Sequence, residues 1–357
     1  MTLQGELATF LSENAEALDA NEVDPEILVQ KLAAHGSFRV GVPREHGGSG
    51  GTIGEAVALL VSIAQRSLTA AFVLWAQRTF VEYLLCTPNH ALREQWLPAL
   101  LDGRTAGATG LSNAIKFLSG IEELAVTTRR GERALLLEGS APWVTNLRRS
   151  GFIVAITALA PDGEGSWVLA VPSSAPGLAR SPDLSLLALN GSNTAALRFE
   201  STEVNEAFVL HRDARAFIAE VRPAFLGLQC GLAIGLAQKS LTIARAASAK
   251  RAATLRGRLE DTTARLSTQV SALYAGLEGG RFREAPAELF ALKIALAELA
   301  QAAVGLELAT SGGSAYLTDR DGGFARRWRE AAFIPIVTPS VTQLEHELAR
   351  RRAEEAA

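Results

Sequence analysis

The sequence predicts a mostly helical α+β protein with an N-terminal helical domain, a middle antiparallel β-barrel or sandwich, and a C-terminal helical bundle. Three observations carry this. Apolar residues recur at three-to-four spacing up to about residue 101, which is the helical period. From Thr105 the texture changes to short apolar runs separated by turn residues. After Asp213 the helical period returns and holds to the end. The boundaries this implies are 1–104, 105–212 and 213–357.

In the first segment, Leu7, Phe10, Leu11 and Leu18, then Ile27, Leu28 and Leu32, mark helix. Asp24-Pro25 reads as a restart, because Asp caps a helix and Pro suits its first position. Val40 to Gly51 is a glycine-rich loop. No Gly-Lys-Ser/Thr follows it and no GxGxxG register fits, so it is not a phosphate loop. Residues 54–86 and 90–101 return to helix.

In the second segment, strands are expected at 135–138, 152–156, 167–171 and 195–199. Gly131, Asp162-Gly163, Pro176-Gly177 and Asn190-Gly191 punctuate them. No helices separate these runs, which disfavours a Rossmann fold. In the third segment, helices are expected over 214–249, 258–277 and 284–310, then around 324–332 and after Pro339. Antiparallel helices with short connections make a bundle.

Composition narrows the function. The chain has 357 residues, 48% hydrophobic and 20% charged, as expected for a globular protein with a large core. With 35 basic and 38 acidic side chains the formal charge is -3, which argues against nucleic-acid binding. Cys86 and Cys230 both lie in apolar helical patterns and read as buried free thiols. The five histidines are scattered without metal-ligand spacing, so no metal site is expected. The acidic, amphipathic N-terminus is unlike a signal peptide. No apolar run of about 18 residues is free of charge. A cytoplasmic protein without a membrane span is therefore expected.

Several local sequences, in order, resemble the acyl-CoA dehydrogenase family. They are Val42 to Gly48, Gln95 to Pro98 followed by Leu101-Asp102-Gly103, and Trp143-Val144-Thr145-Asn146. Further on come Arg222 with Gly231 and Gly235, Gly312 to Tyr316, and Arg326 to Arg329. The resemblance implies a flavin, FAD in most relatives, with FMN as the alternative. Trp143 would then pack on the isoalloxazine ring and Thr145 bond to it. Ser112, in Gly110 to Ala114, which resembles the family's Leu-Thr-Glu-Pro loop, would reach the ring by its hydroxyl and backbone N–H, and Gly312 and Gly313 match a glycine pair of the cofactor region. It also implies an acyl-CoA or related small-molecule substrate, and a homodimer or homotetramer packed through the C-terminal bundle.

The sequence departs from the family in three places. The Arg-x-x-Phe-Gly motif, whose arginine contacts the dinucleotide pyrophosphate, is replaced by Ala252 to Asp261, where Arg256 and Arg258 read as a solvated helix face. The Gly-Ser-Asp that follows the β-domain loop in relatives has no clean counterpart in Ile115 to Ile121. The family's catalytic glutamate falls at Thr338 when aligned on Arg329. Its minority position falls at Val221, with Glu220 turned about 100° around the helix. Glu345 and Glu347 read as an exposed helix face. No catalytic base is identified. The functions in view are a flavin-dependent oxidoreductase acting on an acyl thioester, a reduced-flavin-dependent monooxygenase that needs no α-proton removal, and a non-catalytic binding descendant.

Overall fold

A computed structural model describes residues 3–248, 253–317 and 322–355, and its N-terminal third is helical. Helices α1 (Glu6–Glu13), α2 (Ala15–Asp19) and α3 (Pro25–Ala34) lead into α4 (Ile53–Ala64), α5 (Leu68–Cys86) and α6 (His90–Leu101). Asp24 caps α3 as its sequence predicts, its carboxylate accepting from the Glu26 N–H at 2.9 Å. Thr52, Ser67 and Asn89 cap α4, α5 and α6 in the same way.

The middle segment holds eight strands and one helix. They are β1 (Ala106–Thr109), α7 (Ser112–Leu118), β2 (Val126–Arg130), β3 (Leu135–Val144) and β4 (Phe152–Leu159). Then follow β5 (Ser166–Pro172), β6 (Leu178–Arg180), β7 (Ala195–Val204) and β8 (Val209–His211). The strand order is β6-β7-β3-β2-β4-β5-β8, with β1 beside β4. Most pairs are antiparallel, as expected, but β1 and β2 each run parallel to β4. The sheet is therefore mixed. The four-residue β1 is buried along its whole length, and parallel strands carry no alternation that would reveal them.

Among the described residues, six helices follow the sheet: α8 (Ala214–Ser248), α9 (Ala253–Glu278), α10 (Arg281–Glu284), α11 (Pro286–Ser311), α12 (Phe324–Phe333) and α13 (Val341–Glu355), of which α10 and α12 are the shortest. Residues 249 and 252, which fall in the helix and motif expectations, lie outside the described residues. One apolar core runs from Leu3 through α4, α5, α8 and α11 to Leu344, and a second fills the sheet around Leu137, Val154, Leu169 and Leu197. The helical segments at the two ends of the sequence therefore share one core.

By length and composition, Ala214–Ala247 and Pro286–Tyr316 are apolar enough to cross a membrane. They are 72% and 61% buried inside the protein over their most apolar windows, packed against each other, with α8 also against α4. Close packing explains two glycines of α8. A Cβ on Gly235 would stand 2.4 Å from the Ala64 Cβ, and one on Gly231 would stand 2.9 Å from Leu60. Both lie where α8 crosses α4.

Candidate functional site

The Trp143 turn is built by breaking the pleat of β3. Along a regular strand, side chains alternate between faces, so Ala141 inward implies Trp143 inward. A register shift against β7 between Ala141 and Val144 interrupts this, and Trp143 takes φ 63°, a left-handed conformation unusual for a bulky side chain. Its indole is thrown outward and is 65% exposed, while Val144 is fully buried. Such a conformation costs about 1–3 kcal/mol and persists only when its surroundings hold it.

The hold is visible on the next residues. Asn146, also at positive φ, donates from its amide to Gln77 Oε1 at 2.9 Å and to the Gly107 carbonyl at 3.0 Å. Its backbone N–H reaches the Ser192 carbonyl. Thr145 is buried, and its hydroxyl pairs with Thr194 at 3.1 Å, which in turn pairs with Ser192 at 2.8 Å. A hydroxyl has one donor and two acceptor sites, so Thr145 keeps capacity for another partner.

The bond from Asn146 to Gly107 sets this turn against β1, whose exit leads to Ser112. Ser112 does not lie in a loop, as the motif suggested, but is the first residue of α7. That helix is pinned by Asn113, which donates to the Glu123 carbonyl and accepts from the Ala125 N–H, and by the Lys116–Glu122 ion pair at 2.6 Å. Gly312 and Gly313 sit elsewhere in the chain, at the end of α11 beside α12. Gly312 has φ 62° and ψ -148°, a conformation essentially restricted to glycine. Arg256 and Arg258 are exposed on α9.

Below the β1 exit a cleft opens between α7, α8, α11 and α13. Leu111, Ile218, Phe225, Leu226 and Leu344 give it an apolar wall. Tyr83 closes one side, its hydroxyl paired with Thr109 at 2.8 Å. Burial pushes this phenol far above its usual range, with Thr109 opposing, so it stays protonated. Val221, the residue before Arg222, lines the cleft and is 3% exposed; Glu220 is exposed.

One carboxylate lines the cleft among the described residues: Glu347. It was expected on an exposed face, and Glu345 is indeed exposed, but Glu347 is buried. Leu344, Glu347 and Arg351 fall on one helix face by their three-to-four spacing, and that face turns inward. Burial acts to raise the Glu347 carboxyl, yet hydrogen bonds and charge from Arg350 (2.8 Å) and Arg351 (3.1 Å) outweigh it and hold it low. A carboxylate so held is a poor proton acceptor.

The segment around Thr338 is clamped from the bundle. Lys293 on α11 donates to the Val337 carbonyl at 3.0 Å, and also to the Pro339 carbonyl and to Gln229 Oε1. Gln229 donates in turn to the Thr338 carbonyl at 3.0 Å. Three successive carbonyls thus find donors in the interior. Sequence reasoning did not single out Lys293; the signal was a lone cation inside the apolar run from Phe290 to Leu296.

Burial pulls the pKa of Lys293 down to about 7. An unfolded lysine holds its proton to about pH 10.4. Between those values the unfolded chain binds a proton that the native chain does not, so stability rises with pH in that window. Below pH 7 both states are protonated and the contribution is constant. The wild type should therefore gain urea resistance from pH 7 to 9, a gain Lys293→Met removes. Parallel pH profiles for the two proteins would refute it.

Among the described residues no group of three His, Cys, Asp or Glu side chains stands close enough to hold a metal. Both cysteines are free; Cys230 is buried and Cys86 half-buried, and burial pushes each thiol up to about 12.

The family profile of the acyl-CoA dehydrogenase N-terminal domain matches residues 2–104. The chain is also similar over 340 residues, at 25% identity, to the acryloyl-CoA reductase (NADH) of Anaerotignum propionicum, covering 90% of this chain and 85% of that one. The chain is similar to the acyl-CoA dehydrogenase family in both comparisons. A second relative, an acyl-CoA dehydrogenase of Bacillus subtilis, is 27% identical over 236 residues, covering 65% of this chain and 61% of its own length. The fold agrees with that of butyryl-CoA dehydrogenase from Megasphaera elsdenii, with TM-score 0.81 at 17% identity over 99% of this chain and all of that one. Within this acyl-CoA dehydrogenase fold, the Trp143 turn, the β1 exit and the cleft lie along one continuous stretch of structure. Neither the Thr338 nor the Val221 position supplies a carboxylate.

Proposed function

We propose that this protein is a flavin-dependent oxidoreductase that takes an acyl thioester or a related small molecule, with FAD as its cofactor. The observation that carries the reading is Trp143, an indole turned outward on a strained, triply anchored turn. A flat ring held in that way suits a planar partner. Bound flavin would supply a two-electron acceptor. Trp143 would hold one face of it, and Ser112 and Thr145 would bond its edge. Gly312 and Gly313 lie on other elements; their contribution would come at a contact between copies. The apolar cleft would bind the acyl chain and exclude water, with the Lys293 and Gln229 clamp fixing one wall.

A second reading is favoured by one observation: the only cleft carboxylate among the described residues, Glu347, is committed to two arginines. A monooxygenase fed with reduced flavin needs no base for an α-proton, and the missing Arg-x-x-Phe-Gly motif accords with a smaller flavin such as FMN. Assembly as a homodimer or homotetramer is supported by exposed apolar residues at the bundle's end: Tyr316, Trp328 and Ile336 are 85%, 52% and 66% exposed. The near-neutral formal charge supports the absence of a nucleic-acid partner.

The test is the visible absorption of the purified chain, repeated after loading with FAD or FMN and desalting. A retained flavin band is expected, reduced about tenfold in occupancy by Trp143→Ala at unchanged circular dichroism. A protein that stays colourless after loading overturns the reading in favour of a non-catalytic binding descendant.

A further inference from the structure

One buried amine carries the turn from which α13 enters the cleft. Lys293 is 4% exposed, and its Nζ meets three acceptors: Gln229 Oε1 and the carbonyls of Val337 and Pro339. With its oxygen taken by Lys293, the buried Gln229 turns its amide N–H to the Thr338 carbonyl at 3.0 Å. Pro339 lines the cleft, and α13 begins two residues later and brings Gln343, Leu344 and Glu347 to the same wall. An ammonium has three N–H donors, one for each acceptor around Nζ. A neutral amine has two donors and a lone pair, so one of the three oxygens loses its partner.

The surroundings favour loss of that proton. Among the described residues, the one titratable group that acts on Lys293 is the Cys230 thiol of α8, which burial keeps neutral. Arg222 of α8 and Arg351 of α13 meet α11 at Phe290, about one turn earlier, and Glu347 is taken by Arg350 and Arg351. α12 meets α11 through Arg327 and Glu307, about four turns further on. No carboxylate therefore balances the ammonium, and burial brings its pKa to about 7. We propose that Lys293 is a positioning residue of the cleft: as an ammonium it fixes residues 337–339 and the start of α13, and as an amine it releases one carbonyl and lets that wall loosen. The inference rests on reading this cleft as the ligand site and adds a dependence on pH. Overall stability moves the other way over the same range, because the buried charge is gone while the unfolded chain still binds its proton.

Hydrogen exchange of the purified full chain at pH 6 and pH 8, read by mass spectrometry on peptides spanning 333–348, tests this. Protection is taken relative to the exchange rate of unstructured chain at each pH. In the wild type, protection of this segment should fall about threefold to tenfold from pH 6 to pH 8, the worth of one hydrogen bond. Protection in the rest of the bundle should hold or rise with overall stability, so a general effect has the opposite sign. Lys293→Met should show the lower protection at both values. Unchanged or increased protection of the segment in the wild type overturns the proposal, and so does a fall of the same size in a folded Lys293→Met protein. If that variant does not fold, the wild-type response, set against the rest of the bundle, decides alone. Calorimetric titration with decan-1-ol, a probe with no titratable group in this range, reads the effect on the cleft. Its affinity should weaken by a similar factor from pH 6 to pH 8, and an affinity that stays level while the segment loosens overturns the positioning role. A segment that loosens in a protein with no decanol binding keeps the Lys293 clamp and overturns the cleft as ligand site. Flavin retention, read by absorbance, is independent of both.

Discussion

Replacing Arg327 with methionine should lower the stability of the helical bundle by about 3–5 kcal/mol, the cost of stranding a buried charge. Arg327 is 3% exposed and Glu307 is 1% exposed. The pair makes a two-pronged contact, Nε to Oε2 at 3.1 Å and Nη2 to Oε1 at 2.5 Å. Both terminal nitrogens also donate to the Gly322 carbonyl at 3.1 Å. The contact joins α12 to α11, so its loss strands the Glu307 side chain in the core without its two-pronged partner. The midpoint of urea unfolding measures this, and a shift worth under about 1 kcal/mol would show that water or a neighbour reaches Glu307. The double change Arg327→Met with Glu307→Leu removes both charges and should recover most of the loss, because a buried pair is often replaceable by apolar side chains of similar size. The adjacent residues extend the same attachment: Arg326 reaches Glu330 and Glu16, and Arg329 reaches Asp19. The arginine-rich stretch that resembles the family's thus ties the end of the chain to α2.

How far the fold could be read depended on whether an element had a solvent face. The long helices were legible because each turns some polar residues outward, and Asp24-Pro25 showed a helix start through local chemistry alone. β1 was not legible. Its residues, Ala106 to Thr109, are small and all buried, so neither alternation nor size distinguishes them from loop. β2 has a single apolar residue, Val126, in five. α7 has only seven residues, too few for a periodic signal to set it apart from the loop that its motif implies around Ser112. Parallel pairing of β1 and β2 with β4 depends on tertiary contacts that no local pattern records.

The candidate site was legible only in its residue types. Trp143, Thr145 and Ser112 stood out by motif, but the bulge that turns Trp143 outward does not show in the order of residues. Glu347 was misjudged because its neighbours Glu345 and His346 are polar, and one buried glutamate among them leaves no trace in composition. The arginines that take it, Arg350 and Arg351, lie one helical turn on and explain its burial. Lys293 shows the reverse. A charge in an apolar run was visible, but its partners are carbonyls of Val337 and Pro339 more than 40 residues away.

Installing a base should convert the cleft. Abstraction of an α-proton needs a carboxylate within reach of the substrate, and such a group contributes about 10²–10⁴-fold to rate. In the wild type Glu347 is held by two arginines, Val221 carries no acid, and Glu220 lies outside the cleft. The flavin-loaded wild type should therefore show little oxidation of acyl-CoA with a dye acceptor, and Glu220→Gln should leave even that unchanged. Val221→Glu places a carboxylate on the cleft wall, where burial raises its pKa toward the range useful to a base near neutral pH and Arg222 beside it limits the rise. Dye reduction by this variant should exceed the wild-type rate by about two orders of magnitude or more. If the wild type turns over well and Glu220→Gln abolishes it, α8 is rotated from the orientation described and Glu220 is the base. If a folded, flavin-loaded Val221→Glu gains nothing, acyl-thioester dehydrogenation falls as the chemistry of this cleft, and the reduced-flavin monooxygenase, which asks for no such base, becomes the reading to pursue.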